Sequence, residues 1–420
     1  MLLLSCSKLI EIDLPKNQIA DEAVFKDEAT TQSALLNIYA RFEKQVSYHD
    51  KYLQMYIKLT RYQGVNVDVL EYINQQISPL NGWNKNVWSY LYGIIYQCND
   101  IIEELPNSPL PESSITQYVA EARFLRAYAY SKLLSLFDHI PLLLSTDVEQ
   151  NRLAYQTDEP EVFKQIVEDL QYAITYLPDT VSATRTRASK WSAAALLART
   201  YFQQKDWSKA VEACTEVIES NMFSLEQIDA VFYSSSKETI LQFWTPDGFL
   251  SESPSILPDS DEDIPQYPLD IDFVRGFEEG DLRKQYWVGQ NTSNGEVYYF
   301  PFKYKNAEHN TNNPEYLIAF RIAELLLIRA ESLTQLNRLS AAVEDLNQLR
   351  ERAGLPIVEA PIEQPALLDL INRERKHEYF MEEWLLYSDY RREHSKLLTV
   401  FPIPQDEITY NPNLIQNEGY

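Results

Sequence analysis

Residues 121–144, EARFLRAYAYSKLLSLFDHIPLLL, decide the fold. Between Val119 and Phe137 only Glu121, Arg123, Arg126 and Lys132 carry charge, and apolar side chains occupy almost every angle of a helical wheel. A helix that is apolar all round must be covered on every side, which places it in the middle of an α-helical body. Its four charges make it a poor membrane span. Phe137-Asp138 ends the helix, and Pro141 stops it from resuming.

The composition agrees with a helical body. The 420 residues include only 10 glycines, which disfavours phosphate-cradling loops and dinucleotide folds. A net charge of −25 excludes the Lys/Arg clusters that nucleic acid requires and disfavours adsorption to anionic lipid. Three cysteines, far apart, form neither a disulfide framework nor a metal knuckle. Cys98 and Cys214 fall in helical patterns and read as small buried hydrophobes. Aromatics are plentiful, with 28 Tyr and 7 Trp.

Working outward, residues 24–46 and 85–105 carry the 3–4 spacing of helices, as does 160–177. Between the first two, residues 60–84 are broken by Gly64, Pro79 and Gly82, yet hold Tyr62, Tyr72 and Trp83. Two later segments resemble each other. Ala198 and Ala210 flank a polar turn, as do Ala330 and Ala342, each pair twelve residues apart. That is the pattern of tetratricopeptide-like hairpins, in which alanine lets two helices approach closely. Periodicity fails over 232–316, where prolines and glycines crowd. There ETILQFW (238–244) and GEVYYFPFKY (295–304) are expected to form a short hairpin-like sheet. Helices return at 317–336, 339–352 and 366–383, followed by an aperiodic tail.

Several of these stretches resemble one family. VFKDEATTQSALLNIYARF, WSYLYGIIYQCNDIIEEL, EARFLRAYAYSKLLSLF with IPLLL, RERKHEYFMEEWLLYSDYRR, and FPIP followed by NPNLIQNEGY are similar to the SusD/RagB nutrient-binding outer-membrane lipoproteins of Bacteroidetes. Trp384 departs from the pattern, standing where that family usually has glycine. The resemblance implies a mostly all-α SusD-like fold with tetratricopeptide-like hairpins and a loop-rich region with short β pieces. It divides the chain into a tether (1–22), an N-terminal helical region (23–231) and a C-terminal region (232–420). Leu3-Leu4-Ser5-Cys6 has the form of a lipobox, although only five residues precede Cys6, fewer than a signal peptide needs. With the resemblance, it implies lipidation at Cys6 and anchoring at the cell-surface side of an outer membrane. A SusC-like TonB-dependent transporter is the implied partner. The implied ligand is an oligosaccharide, or an oligopeptide as in RagB-like members. A helical-repeat scaffold for protein partners is the reading from a different class.

No cofactor, metal or catalytic motif stands out. Glu374 and His377 have the spacing of a di-iron motif, but no second Glu-x-x-His exists. Glu374, Glu378 and Glu382 form a stripe expected to be solvated or paired with arginine. Asp259, Asp261 and Asp263 imitate the start of a calcium loop with Asp270 at position twelve, but Ile264 replaces the required glycine. A binding protein, not an enzyme, is therefore expected. Sugars present C–H faces that lie well on flat rings. The candidate ligand-binding residues are the loop aromatics Tyr62, Tyr72, Trp83, Trp244, Tyr267, Trp287, Tyr298 and Tyr299.

Overall fold

The computed structural model describes residues 24–46, 49–359, 361–394 and 399–420; the expected tether and lipidated Cys6 lie outside the described residues. The Asp27 carboxylate accepts from the Thr30 amide at 2.9 Å and so caps the start of α1 (Glu28–Arg41), which runs on into a π turn at Phe42–Val46. Short helices α2 (Asp50–Tyr56) and α3 (Val67–Ile73) follow. Asn81 then caps α4 (Gly82–Glu104). The deciding stretch forms the C-terminal part of α5 (Glu112–Phe137), where every residue from Tyr118 to Phe137 except Arg123 is buried. It stops where expected, with Asp138 at φ 64°.

Three of the charges on α5 are buried and paired. Arg126 grips both carboxylate oxygens of Asp169 at 2.8 Å and donates to Asn99 Oδ1 at 2.8 Å. Glu121 meets Arg187 and accepts from Tyr39 Oη, while Lys132 meets Asp50. Such pairs fix how neighbouring elements dock, because a lone buried charge would be costly.

Residues Ile140–Pro141 (β1) pair with Gln156–Thr157 (β2) before α6 (Glu159–Tyr176). Next come α7 (Lys190–Gln203), opened by a capping box at Ser189 and Ser192, and α8 (Trp207–Ile218). From α4 to α8 each helix packs on the next. The irregular stretch supplies β3 (Thr239–Phe243) and the hairpin β4 (Val288–Ser293) with β5 (Glu296–Pro301). Then come β6 (Leu317–Arg321), α9 (Ile322–Gln335), α10 (Leu339–Arg352), α11 (Gln364–Tyr379) and α12 (Leu385–Glu393). α9 lies against α8 and α10. Ala198, Ala210, Ala330 and Ala342 are all fully buried, as close crossings of the two hairpins require.

Two expectations need correction, and two open points are settled. The two β pieces do not pair with each other: ETILQFW pairs antiparallel with β6, and β5 pairs with β4. The Asn294-Gly295 turn, with φ of 52° and 79°, folds β5 back locally onto β4. The helix expected over 317–336 begins only at Ile322, because its first five residues are β6, buried on both faces. The backbone with glycine-like φ is not at Trp384 (φ −96°) but at Met381 (φ 59°) and Glu383 (φ 41°). Of the two expected states of the glutamate stripe, the structure shows the arginine-paired one, and it is buried. Glu378 contacts Arg283, Arg321 and Arg352, Glu374 contacts Arg283 and Arg350, and Glu382 contacts Arg321 and Lys303. Burial alone would push the Glu378 carboxyl up, yet Arg352, Arg321 and Arg283 together hold it well below the usual carboxylate range.

Candidate functional site

Two irregular stretches, 200 residues apart in sequence, are zipped together by backbone hydrogen bonds. Arg61 N donates to Pro268 O (2.8 Å), Gln63 N to Gln266 O (2.9 Å), and Asp270 N to Leu59 O (2.8 Å). On the other side, Leu269 N donates to Tyr299 O (2.8 Å), tying the ribbon to β5. Pro265 and Pro268 have no N–H to offer, which keeps the pairing to these few bonds.

The zipper brings rings together. Tyr62 stacks on Tyr267 with centroids 5.6 Å apart and planes inclined by 28°. Gly64 lies hard against the phenol end of Tyr62, where an added Cβ would fall 2.4 Å from Cζ. Beneath, the buried Lys51 ammonium lies 5.1 Å from the Tyr267 centroid and 5.6 Å from that of Tyr52, and donates to Ser255 Oγ. Tyr52 in turn packs on Trp83, centroids 5.0 Å apart, at the start of α4. Tyr62 and Trp83 are half-buried, so each keeps a solvent-facing part. Val65, Val67 and Leu80 beside them are 90%, 69% and 77% exposed.

The other candidates divide. Tyr267 is buried and serves as the bed on which Tyr62 rests. Tyr298 and Tyr299 are half-buried on β5, with Tyr298 Oη donating to Glu296. Trp244, 52% exposed, follows β3 and makes no ring contact with the others among the described residues. Tyr72 and Trp287 are corrections. Tyr72 is fully buried, its hydroxyl 2.7 Å from His49 Nε2 and its ring against Tyr52 and Phe401. Trp287 is equally buried, with Nε1 donating to Ile228 O and its face toward Lys303. Neither ring can meet a ligand, because each is packed into the core and anchors a short helix there. Sequence reasoning missed Lys51 and Tyr52. They stand on α2, where no loop signal marks them.

Below the rings is a small cavity of about 30 Å³, lined among others by Asp50, Lys51, Glu252, Lys303 and Glu383. Burial pushes the Glu252 and Glu383 carboxyls up to about 8, and lowers the Lys303 ammonium to about 8. Among the described residues Glu252 Oε2 has no hydrogen-bond partner. No group of three metal-ligating side chains is found among the described residues. The acidic 259–263 loop is held by Asn291, whose amide donates to Ser260 O and Asp263 O, while Asp270 pairs with Arg61 and caps the turn that follows. It is a docked loop with its carboxylates in solvent.

A family model described as "starch-binding associating with outer membrane" matches residues 13–202, and the SusD family model matches residues 283–399, together well over half of the chain. SusD-like protein P25 of Formosa agariphila is 25% identical, over 99% of this chain and 97% of its own length. SusD-like protein P2 of the same organism is 27% identical over 90% and 86%. Among solved structures, a SusD-like protein of Bacteroides fragilis superposes with a TM-score of 0.82 at 20% identity, covering 96% of this chain and 99% of its own. A laminarin-binding SusD-like protein gives 0.81 at 22% identity, covering 94% and 100%. No helix among the described residues is long and apolar enough to cross a membrane. The chain belongs to the SusD family.

Proposed function

We propose that this protein is a cell-surface lipoprotein that captures an oligosaccharide and delivers it, without altering it, to a SusC-like TonB-dependent transporter. The observation that carries the glycan reading is the pair of half-exposed rings, Tyr62 and Trp83, each backed by a buried aromatic and linked below by Lys51. Rings held this way lose little freedom when a sugar face settles on them. A 1 mM affinity needs about 4 kcal/mol. One ring contributes on the order of 1 kcal/mol, so several contacts must add. Tyr298 and Tyr299 on the adjoining hairpin, and the exposed Trp244, are the further rings available to a longer chain. The name of the laminarin-binding neighbour supports β-glucans as the first ligands to try. Acylation at Cys6 would hold the molecule at the membrane, with the helical back toward the transporter.

Isothermal titration of wild type and of Y62A/W83A against laminarin oligosaccharides and a peptide panel tests this. Wild type should bind glycan and leave it intact, and the double variant should bind about tenfold or more weakly. Exclusive binding of peptides, or equal glycan affinity in the variant, would overturn it.

A further inference from the structure

A second recess opens between Ile57–Leu59, α11 and α12, with a volume of about 280 Å³. That is close to the lower limit of small-molecule sites, about 300 Å³, and suits one sugar ring. Its floor is apolar, from Ile57, Leu59 and Leu386, and one wall is the half-buried Tyr390, stacked 3.9 Å from His394. The other wall is cationic. Arg373 and Lys376 stand three residues apart on one face of α11, both exposed, and neither makes an ion pair among the described residues. Asn372 lies beside them, half-buried.

In a chain of net charge −25 this is unusual, because most of the other cations near α11 are spent on buried carboxylates. The recess also contains Asp389 and Glu393, and Asp389 is already engaged by other cations. Asp389 is held by Arg375 (2.9 and 2.6 Å) and Arg392 (3.2 Å), so its charge is met within the protein. Arg375, itself buried and lining the recess, has a further nitrogen, Nη1, that finds no acceptor among the described residues.

We propose that this recess is a subsite for an anionic sugar: the ring lies against Tyr390 and the half-buried Ile57, and its carboxylate or sulfate meets Arg373 and Lys376. The proposal deepens the glycan reading and rests on it. Leu59, at the floor of the recess, and Tyr62 are three residues apart, at most ~10 Å along the chain. A glycan resting on Tyr62 could therefore place a neighbouring charged residue here.

Titration of the full chain with methyl β-glucuronide, glucose 6-sulfate, methyl β-glucoside and inorganic sulfate tests it, alongside R373Q/K376Q. Wild type should prefer at least one anionic sugar over the neutral glucoside by about tenfold, an advantage that falls with added salt. R373Q/K376Q should lose that preference while melting close to the wild-type temperature, since both side chains are exposed, neither makes an ion pair among the described residues, and Lys376 has only a 6.0 Å approach to the Phe273 ring. Which anionic sugar wins identifies carboxylate or sulfate as the natural group. Equal affinity for charged and neutral sugars, inorganic sulfate binding as well as the sugars, or a preference that survives in R373Q/K376Q overturns the proposal. If laminarin binding is retained in such a case, the glycan reading stands without this subsite. If anionic sugars bind as expected but Y62A/W83A leaves every glycan affinity unchanged, the ring face fails and the recess remains.

Discussion

Glu252 shows how much one side chain can say about conditions. It is buried above the small cavity, with one carboxylate oxygen lacking a hydrogen bond among the described residues; Lys51 offers charge relief, whereas Asp50 and Glu43 oppose it. In the unfolded chain a glutamate titrates at 4.5; here burial takes it to about 8. The folded state therefore keeps a proton that the unfolded state has lost, and stability falls as pH climbs from about 4.5 to about 8. Lys303, lowered to about 8, has the opposite sign and returns stability only above that pH. Glu252→Gln cannot ionise. It should melt close to wild type at pH 5 and several degrees higher at pH 8.5, a gain on the order of 2 kcal/mol. Thermal denaturation across that range checks this, and a wild-type advantage at pH 8.5 would mean that Glu252 is charged and paired in the folded protein. Glu383, also near 8, should add to the same slope.

At the scale of elements, the two hairpins depend on small residues at their crossings. Ala330 on α9 is fully buried where that helix meets its neighbours. Ala330→Leu should cost about 1–3 kcal/mol by forcing the helices apart, read as a lower denaturant midpoint with an unchanged slope. Ala341→Leu, at a half-buried position one residue away from the crossing, should cost far less. These helices were legible because apolar residues recur every three to four positions and alanines mark where helices touch. β6 was not, since LIAFR is apolar on both faces and a short buried strand looks like the first turn of α9. Its partner, β3, is some 75 residues earlier, and nothing local specifies that pairing. The β4–β5 hairpin did have a local signal, Asn294-Gly295, which the expected pairing overlooked. The rings show a further limit. Tyr62 and Tyr72 stand in the same broken stretch, but one faces solvent and the other His49, a difference made entirely by residues distant in sequence.

For the whole molecule, the question is whether the helical back is one stiff body. The described residues form two hydrophobic clusters, and β6 with α9 belongs to both. Leu317, Ala319 and Phe320 pack into the first while Ile318 packs into the second; Ile322, Leu325 and Ile328 join the first, whereas Ala323, Leu326 and Leu327 join the second. An element shared in this way cannot leave one cluster without opening the other. Arg321, at the junction, adds contacts to Glu238, just before β3, and to Glu378 and Glu382, on and just after α11, and its loss would remove a buried cation that all three carboxylates share. The two clusters should therefore unfold together. Phe320 is the residue to test, being buried against Phe124, Tyr128 and the Arg199 guanidinium. Phe320→Ala should lower stability by about 3–5 kcal/mol and move a single calorimetric transition without splitting it. Two resolved transitions, with only the earlier one moved, would show that the clusters are separate units. Coupled unfolding would also confine ligand-induced changes in hydrogen exchange to the ribbon at 59–66 and 266–270 and its flanking loops, because the back would have no softer seam at which to yield.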